Sequence, residues 1–338
     1  MTRTGSLPAA LAAAIVSSAQ ARAETPAPLS SFKDCPACPE MVALPAGRFL
    51  MGASPEDRKF SYGETMSSEL PQHQVDIGYS FAVSRFEVSV ADFAAYVAET
   101  GARTGGECEI RTPDLGPNAG QFVGTLKPGE PQMPGLVVIV DGDFRSPGAV
   151  VSAQHPATCI SRREALAYLA WLGEKSGRTY RFPTEAEWEY ATRAGSTTPF
   201  HYGGGFAELC KYGNFADRKS PYSARVAAQC AENPSPTALA PLGSYQPNAW
   251  GLHDMIGNAF EFTEDCATEN YHGAPVDGSP WRTGECDYFT TRSYFFDSVG
   301  SGLRSAARCT VVDWDSRSNG LAIRAAVSLN DAAWDRQR

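Results

Sequence analysis

Residues 254–266 read DMIGNAFEFTEDC. Phe260 and Phe262 alternate with Glu261 and Thr263, the two-residue period of a strand. Asp254, Gly257 and Asn258 lie just before them and read as a turn. Two carboxylates and a carboxamide thus sit against residues patterned for burial. Either the turn satisfies its own backbone with those side chains, or their oxygens form a cage for a hard cation.

The surrounding chain has 338 residues, 43% of them hydrophobic, enough for one large domain or two ordinary ones. The net charge of -9 and the absence of any basic run argue against nucleic acid as a partner. With 31 Gly and 24 Pro, the composition favours a loop-rich fold over a helical bundle.

The first 23 residues read as a signal peptide. Arg3 precedes an apolar run from Leu7 to Val16, and Ala19-Gln20-Ala21 and Ala21-Arg22-Ala23 both have the small-x-small form of a cleavage site. The run is too short to span a bilayer, and no later segment is long enough, so we expect a periplasmic or secreted protein with no membrane span. Residues 24–39 read as a linker carrying a CxxC.

Nine cysteines in an exported chain are read as disulfides with one left over. Cys35 and Cys38 lack the second pair or the histidines that zinc would need, and no βαβ pattern surrounds them, so a small local disulfide is expected. Cys210 with Cys230, and Cys266 with Cys286, bracket polar, turn-rich segments, and Cys108 lies in a long loop before Cys159. These pairs would leave Cys309 free, although spacing alone does not fix connectivity.

Short apolar runs broken by Pro45 and Gly47 suggest hairpin strands in EMVALPAGRFLMGAS, and HQVDIGYSFAVSRFEVS continues with alternating strands. Three helix starts follow: Ser89 with Asp92, Ser161 with Glu164, and Thr184 with Glu187, each a side-chain cap with an acid three residues on. The second should end at Gly177, and the third should have Gly195 as its C-cap. Residues 101–157 form a Gly/Pro-rich excursion too long for a routine connection. After Gly195 little is helical. The fold class is α+β, with few helices, short antiparallel strands and much irregular backbone.

Several chemistries are absent. There is no GxSxG, HExxH, Walker loop or GxGxxG after a strand, and YGGGF at 202–206 lacks a following helix. The five histidines show no ligand spacing, and His253 reads as a turn or core residue. Glu185, Glu187 and Glu189 spread around their helix rather than forming one catalytic face. Solvation and first-turn dipole matching are the expected reasons for them.

The motifs ALPAGRFLMGAS, LPQHQVDI, FEVSVADFAAYVAETG, HPATCIS, RFPTEAEWEYATRAG, PNAWGLHDMIGNAFEFTED, LRSAAR and NGLAIRAA occur in that order. Together they resemble the formylglycine-generating enzyme, or sulfatase-modifying-factor, family. The resemblance covers about residues 40–330, interrupted by the long loop, and implies one domain with a C-type-lectin-like core. It also implies structural calcium. Carried over, the ligands are the Asp254 side chain, the Gly257 and Ala259 carbonyls and the Glu261 carboxylate. A second calcium site falls on Asn214, the Phe215 carbonyl and Glu232.

Against that family the catalytic centre departs. Its enzymes hold Cu(I) on two cysteines after an RGGS motif and oxidise a substrate cysteine to formylglycine. Thiolates suit Cu(I) because both are soft. Here the stretch is TTRSYFFDSVGSGLRSAAR, 290–308. Ser293 matches the motif serine, but Thr291 and Arg292 replace the glycines, and Phe296 and Ser301 take the thiol positions. Phe260 stands where tryptophan is usual. Copper is therefore not expected, and no catalytic residue is assigned. Ser293, Phe260 and Cys309 are the cleft candidates. Arg304 and Arg308 either meet an anionic ligand or, more simply, satisfy buried carbonyls and carboxylates.

The expected protein is an exported, calcium-stabilised family member. It binds a peptide, protein or glycan, or assists maturation of an exported partner. The alternative is formylglycine generation, or a related oxidation, by an altered site.

Overall fold

A computed structural model describes Met1 and residues 26–61, 66–112, 136–216, 230, 238–296, 298, 300–308 and 311–329. The signal peptide, the centre of the long excursion, Glu232 and Cys309 lie outside the described residues.

In chain order the elements begin with β1 (Ser31–Phe32), β2 (Met41–Leu44), β3 (Gly47–Met51), β4 (His73–Ile77) and β5 (Phe81–Ser84). Then come α1 (Val90–Thr100), β6 (Gly106–Thr112), β7 (Leu136–Gly142), α2 (Arg162–Ser176), β8 (Tyr180–Arg181) and α3 (Glu185–Arg193). The remainder holds β9 (Phe260–Cys266), β10 (Phe289–Arg292), β11 (Val311–Val312), β12 (Leu321–Ala322) and β13 (Ala326–Ser328). A five-stranded sheet runs β1-β2-β5-β13-β8, so the last strand is inserted between β5 and β8 and both ends of the fold meet in one sheet. A second sheet runs β11-β10-β9-β12, antiparallel except for the β9–β12 pair.

All three helices start with the capping box read from sequence: Ser89, Ser161 and Thr184 each accept from the backbone N–H three residues on. Gly101 and Gly177 close α1 and α2 in the left-handed conformation. In α3 that position is taken by Ala194 (φ 46°), with Gly195 (φ 87°) next, rather than by Gly195 itself.

Two expectations are corrected. β2 and β3 do not pair with each other: β2 lies between β1 and β5, while β3 pairs with β4. Pro45 cannot donate to a ladder, and the chain leaves one sheet for another there. The presumed linker belongs to the fold from Leu29, whose N–H donates to the Ala43 carbonyl. β1 pairs with β2, and Asp34 accepts from Arg178 at 2.9 Å and Tyr180 at 2.9 Å.

Part of the long excursion is a hairpin of β6 and β7. The Cys108–Cys159 disulfide joins it to the start of α2. Cys35–Cys38, Cys210–Cys230 and Cys266–Cys286 are the other bridges among the described residues.

The largest core lies between α1, α2 and the sheets, with Phe93, Tyr168, Leu172, Phe182 and Phe262 buried in it. A second core packs α3 through Trp188 and Ala191 against Val42, Val83 and Ile77. Every residue of α3 is buried, including Glu185, Glu187 and Glu189. The expectation that solvation explains these glutamates is therefore wrong. Glu187 pairs with Arg181 (2.6 Å), Glu189 with Arg292 (2.7 Å) and Glu185 with Arg308 (2.8 Å). Burying a charge is tolerable only when it is paired and hydrogen-bonded.

Candidate metal and ligand site

The turn before β9 is built on residues that tolerate positive φ. Asp254 (φ 57°), Gly257 (φ 80°) and Asn258 (φ 67°) are all left-handed. Gly257 must be glycine for a second reason, since a Cβ there would sit 2.2 Å from the Asn214 carbonyl oxygen. The Asn258 side chain fills the turn: its Oδ1 accepts from Ala240 N–H (2.8 Å) and Asn214 Nδ2 (3.2 Å), and its Nδ2 donates to Glu87 Oε1 (3.2 Å). The turn therefore does satisfy much of its own polarity.

It does not satisfy all of it. Glu261, fully buried on β9, accepts from Arg324 Nε at 2.8 Å with both oxygens and from the Trp188 indole at 2.6 Å. Arg324 comes two residues after β12, whose parallel register sets Ala322 beside Glu261. Glu87, also fully buried, stands only 3.6 Å from Arg324. Asp254 accepts one hydrogen bond, from Gly243 N–H at 2.9 Å. Asp254 Oδ1 and Glu87 Oε2 are buried with no hydrogen-bond partner.

Two carboxylates, Glu261 and Glu87, thus share one guanidinium, whose charge Asp254 also feels. Burial, then repulsion from Asp254, holds the Glu87 carboxyl well above the usual range. Burial pushes Asp254 up to about 6, against the pull of Gly243 N–H and Arg324. Two buried carboxylate oxygens that accept no hydrogen bond fit a hard divalent cation, whose charge would reverse these shifts. Of the ligands expected from sequence, Asp254 offers a free oxygen, and Glu261 is already engaged by Arg324 and Trp188. The Gly257 carbonyl accepts from Ser293 Oγ (3.1 Å) and Ala259 N–H (2.9 Å). Glu87 was missed by sequence reasoning. The FEVS motif that holds it lies far from the turn, and only the fold brings the two together. No cluster of three or more His, Cys, Asp or Glu ligands is present among the described residues. A calcium shell of two carboxylates completed by carbonyls and water does not require one.

At the second expected calcium site, Asn214 donates to Ala238 O (2.8 Å) and Asn258 Oδ1, and the Phe215 ring is buried in the core.

The stretch expected from the resemblance to match the family's copper site is closed at Phe296 and Ser301. Phe296 and Ser301 are 1% and 2% exposed. Phe296 packs edge-on to Phe295 at 5.1 Å, and Phe295 lies 4.5 Å from Phe260. Ser301 sits in a tight turn whose flanking glycines lie under aromatic rings. A Cβ on Gly300 would meet Phe206 at 2.6 Å, and one on Gly302 would meet Tyr294 at 2.4 Å. Ser293 is buried (φ 62°), its hydroxyl spent on Gly257.

Of the cleft candidates, Phe260 lines a cavity of about 170 Å³, shared with Phe295, Val312 and Leu321. Arg304 pairs with Glu69 and Asp57, and Arg308 with Glu185 and the Ser68 and Thr268 carbonyls. Both are therefore internal counter-ions. His253 is a turn residue, its Nδ1 2.9 Å from the Tyr245 carbonyl.

The Sulfatase-modifying factor enzyme 1-like domain family matches residues 28–326. The chain belongs to this family. It is 30% identical over 311 residues to a formylglycine-generating enzyme of Streptomyces coelicolor, covering 86% of this chain and 89% of that protein. It is 28% identical over 244 residues to the mouse protein called inactive C-alpha-formylglycine-generating enzyme 2, covering 67% and 68%. The solved structure of PvdO from Pseudomonas aeruginosa is similar to it with a TM-score of 0.70 at 30% identity, covering 90% of this chain and 99% of that one. Among the described residues no helix is long and apolar enough to cross a membrane.

Proposed function

We propose that this sulfatase-modifying-factor domain is exported, is held together by calcium, and binds a polypeptide segment of an exported partner without copper oxidation. The observation that carries this reading is the burial of Phe296 and Ser301, the two residues that the family resemblance sets at the positions of the copper thiols. A phenyl ring offers copper no ligand, and a hydroxyl is a hard donor for a soft ion. Similarity to a relative whose name calls it inactive supports the idea that the domain persists without that activity. Four disulfides support an oxidising compartment, periplasmic or secreted. Asp254 and Glu87 supply the free oxygens for calcium, and the groove beside Phe260 receives the ligand.

The test is turnover. The purified mature protein, loaded with Cu(I) under oxygen, is incubated with a cysteine-containing sulfatase-motif peptide and followed by mass spectrometry. The peptide should remain unconverted. Formylglycine formed by the unmutated protein and lost in Cys309→Ser would defeat the reading.

A further inference from the structure

The cavity beside Phe260 has a chemistry of its own. Phe260, Phe295, Val312 and Leu321 make an apolar lining, to which half-exposed Val311 adds. Two charged residues also line it, Glu109 and Arg317. Arg317 is already answered: its Nε donates to Glu164 at 3.0 Å and its Nη1 to the Asp315 carbonyl at 3.2 Å. Glu109 is not. Its backbone is fixed, with N–H to the Arg317 carbonyl and C=O from Asn319 N–H, both at 2.9 Å. Its carboxylate has no hydrogen bond or ion pair with any described residue.

A carboxylate on a fixed backbone position, in a cavity shared with two phenyl rings and an apolar wall, suits one ligand class. Ring faces attract cations, a carboxylate accepts charge-assisted hydrogen bonds, and the aliphatic wall takes a methylene stem. The size agrees, since an apolar cavity of about 150 Å³ holds a single benzene-sized body. Resting on the polypeptide-binding reading above, we propose that this cavity receives a lysine side chain of the bound polypeptide, its ammonium on Glu109 and its stem against Val311, Val312 and Leu321. The groove then selects its partner by a positive charge rather than by a thiol. No bond is made or broken in this step.

The experiment uses the mature chain and three single-residue probes, Nα-acetyl-lysine N-methylamide and its norleucine and glutamate counterparts, titrated by saturation-transfer NMR. The lysine probe should bind at least about fivefold more tightly than norleucine, the size expected for one cation–π and ionic contact. The glutamate probe should bind least. Glu109→Gln should lower lysine binding to the norleucine level, whereas Glu107→Gln, on the same strand but outside the cavity, should leave it unchanged. Equal binding of lysine and norleucine, no binding of either, or a lysine preference that survives Glu109→Gln would overturn the proposal. None of these results touches the copper-free reading, which stands or falls on formylglycine production.

Discussion

Asp254 and Glu87 are the residues whose environment is least complete. Each places one carboxylate oxygen in the interior without a hydrogen bond, and Arg324, 3.6 Å from that oxygen of Glu87, is already committed to Glu261. Buried polar atoms left without hydrogen bonds are costly, and calcium would offset that cost. A ligand that binds only the native state adds RT ln(1 + [L]/Kd), about 2.7 kcal/mol at a hundredfold excess over Kd. Chelation should therefore lower the melting temperature of the wild-type protein. Asp254→Ala should melt at one temperature with calcium or chelator. Glu261→Gln should lose stability in both conditions, because it strands Arg324 whether or not calcium is bound. Equal melting of the wild type with calcium and with chelator would sink the assignment. The sequence made Asp254 legible because its turn is local. It hid Glu87, which lies 167 positions before Asp254 in the chain, and it could not reveal that Arg324 holds Glu261.

Among the elements, α3 shows both what sequence reveals and what it hides. Its start is written in Thr184 and Glu187, because a capping box is a contact between residues three apart. Its burial is not written locally. Glu185, Glu187 and Glu189 look like solvated helix residues until Arg181, Arg292 and Arg308 arrive from β8, β10 and the segment before β11. The pairing of β2 with β5 rather than with β3 is likewise a long-range choice, invisible to a two-residue period. The end of α3 carries a correctable cost, since Ala194 is left-handed at φ 46°. Left-handed backbone costs a Cβ-bearing residue about 1–2 kcal/mol, partly offset by the greater freedom of unfolded glycine. Ala194→Gly should accordingly stabilise the protein by about 0.5–1 kcal/mol in denaturant unfolding, and a loss of stability would contradict this view of the helix end.

For the whole molecule, pH and copper are the informative variables. His201 is buried against Tyr202 and Tyr212, and burial lowers its pKa to about 4. Between pH 6.5 and 4 the unfolded chain takes up this proton and the folded one does not. Its contribution is thus fully present above pH 6.5 and is lost as pH falls through that window, by up to about 3 kcal/mol. Asp265, pushed up to about 7 by burial, works in the opposite sense, so the readout is the difference between wild type and His201→Phe. That variant should lose less stability between pH 6.5 and 4 than the wild type, and parallel curves would refute the assignment. The family and mixed fold were legible across the chain because their motifs are contiguous, whereas the cavity beside Phe260 assembles from β6, β9, β11 and β12 and has no signature in any one of them. The central claim is that this domain kept the fold and lost the copper thiols. Its most direct test is Cu(I) affinity, measured by competition with a chromogenic chelator on the mature protein. The wild type should hold copper no better than Cys309→Ser, and Phe296→Cys/Ser301→Cys is the variant in which affinity should appear. Stoichiometric Cu(I) binding by the wild type, abolished in Cys309→Ser, would contradict the account.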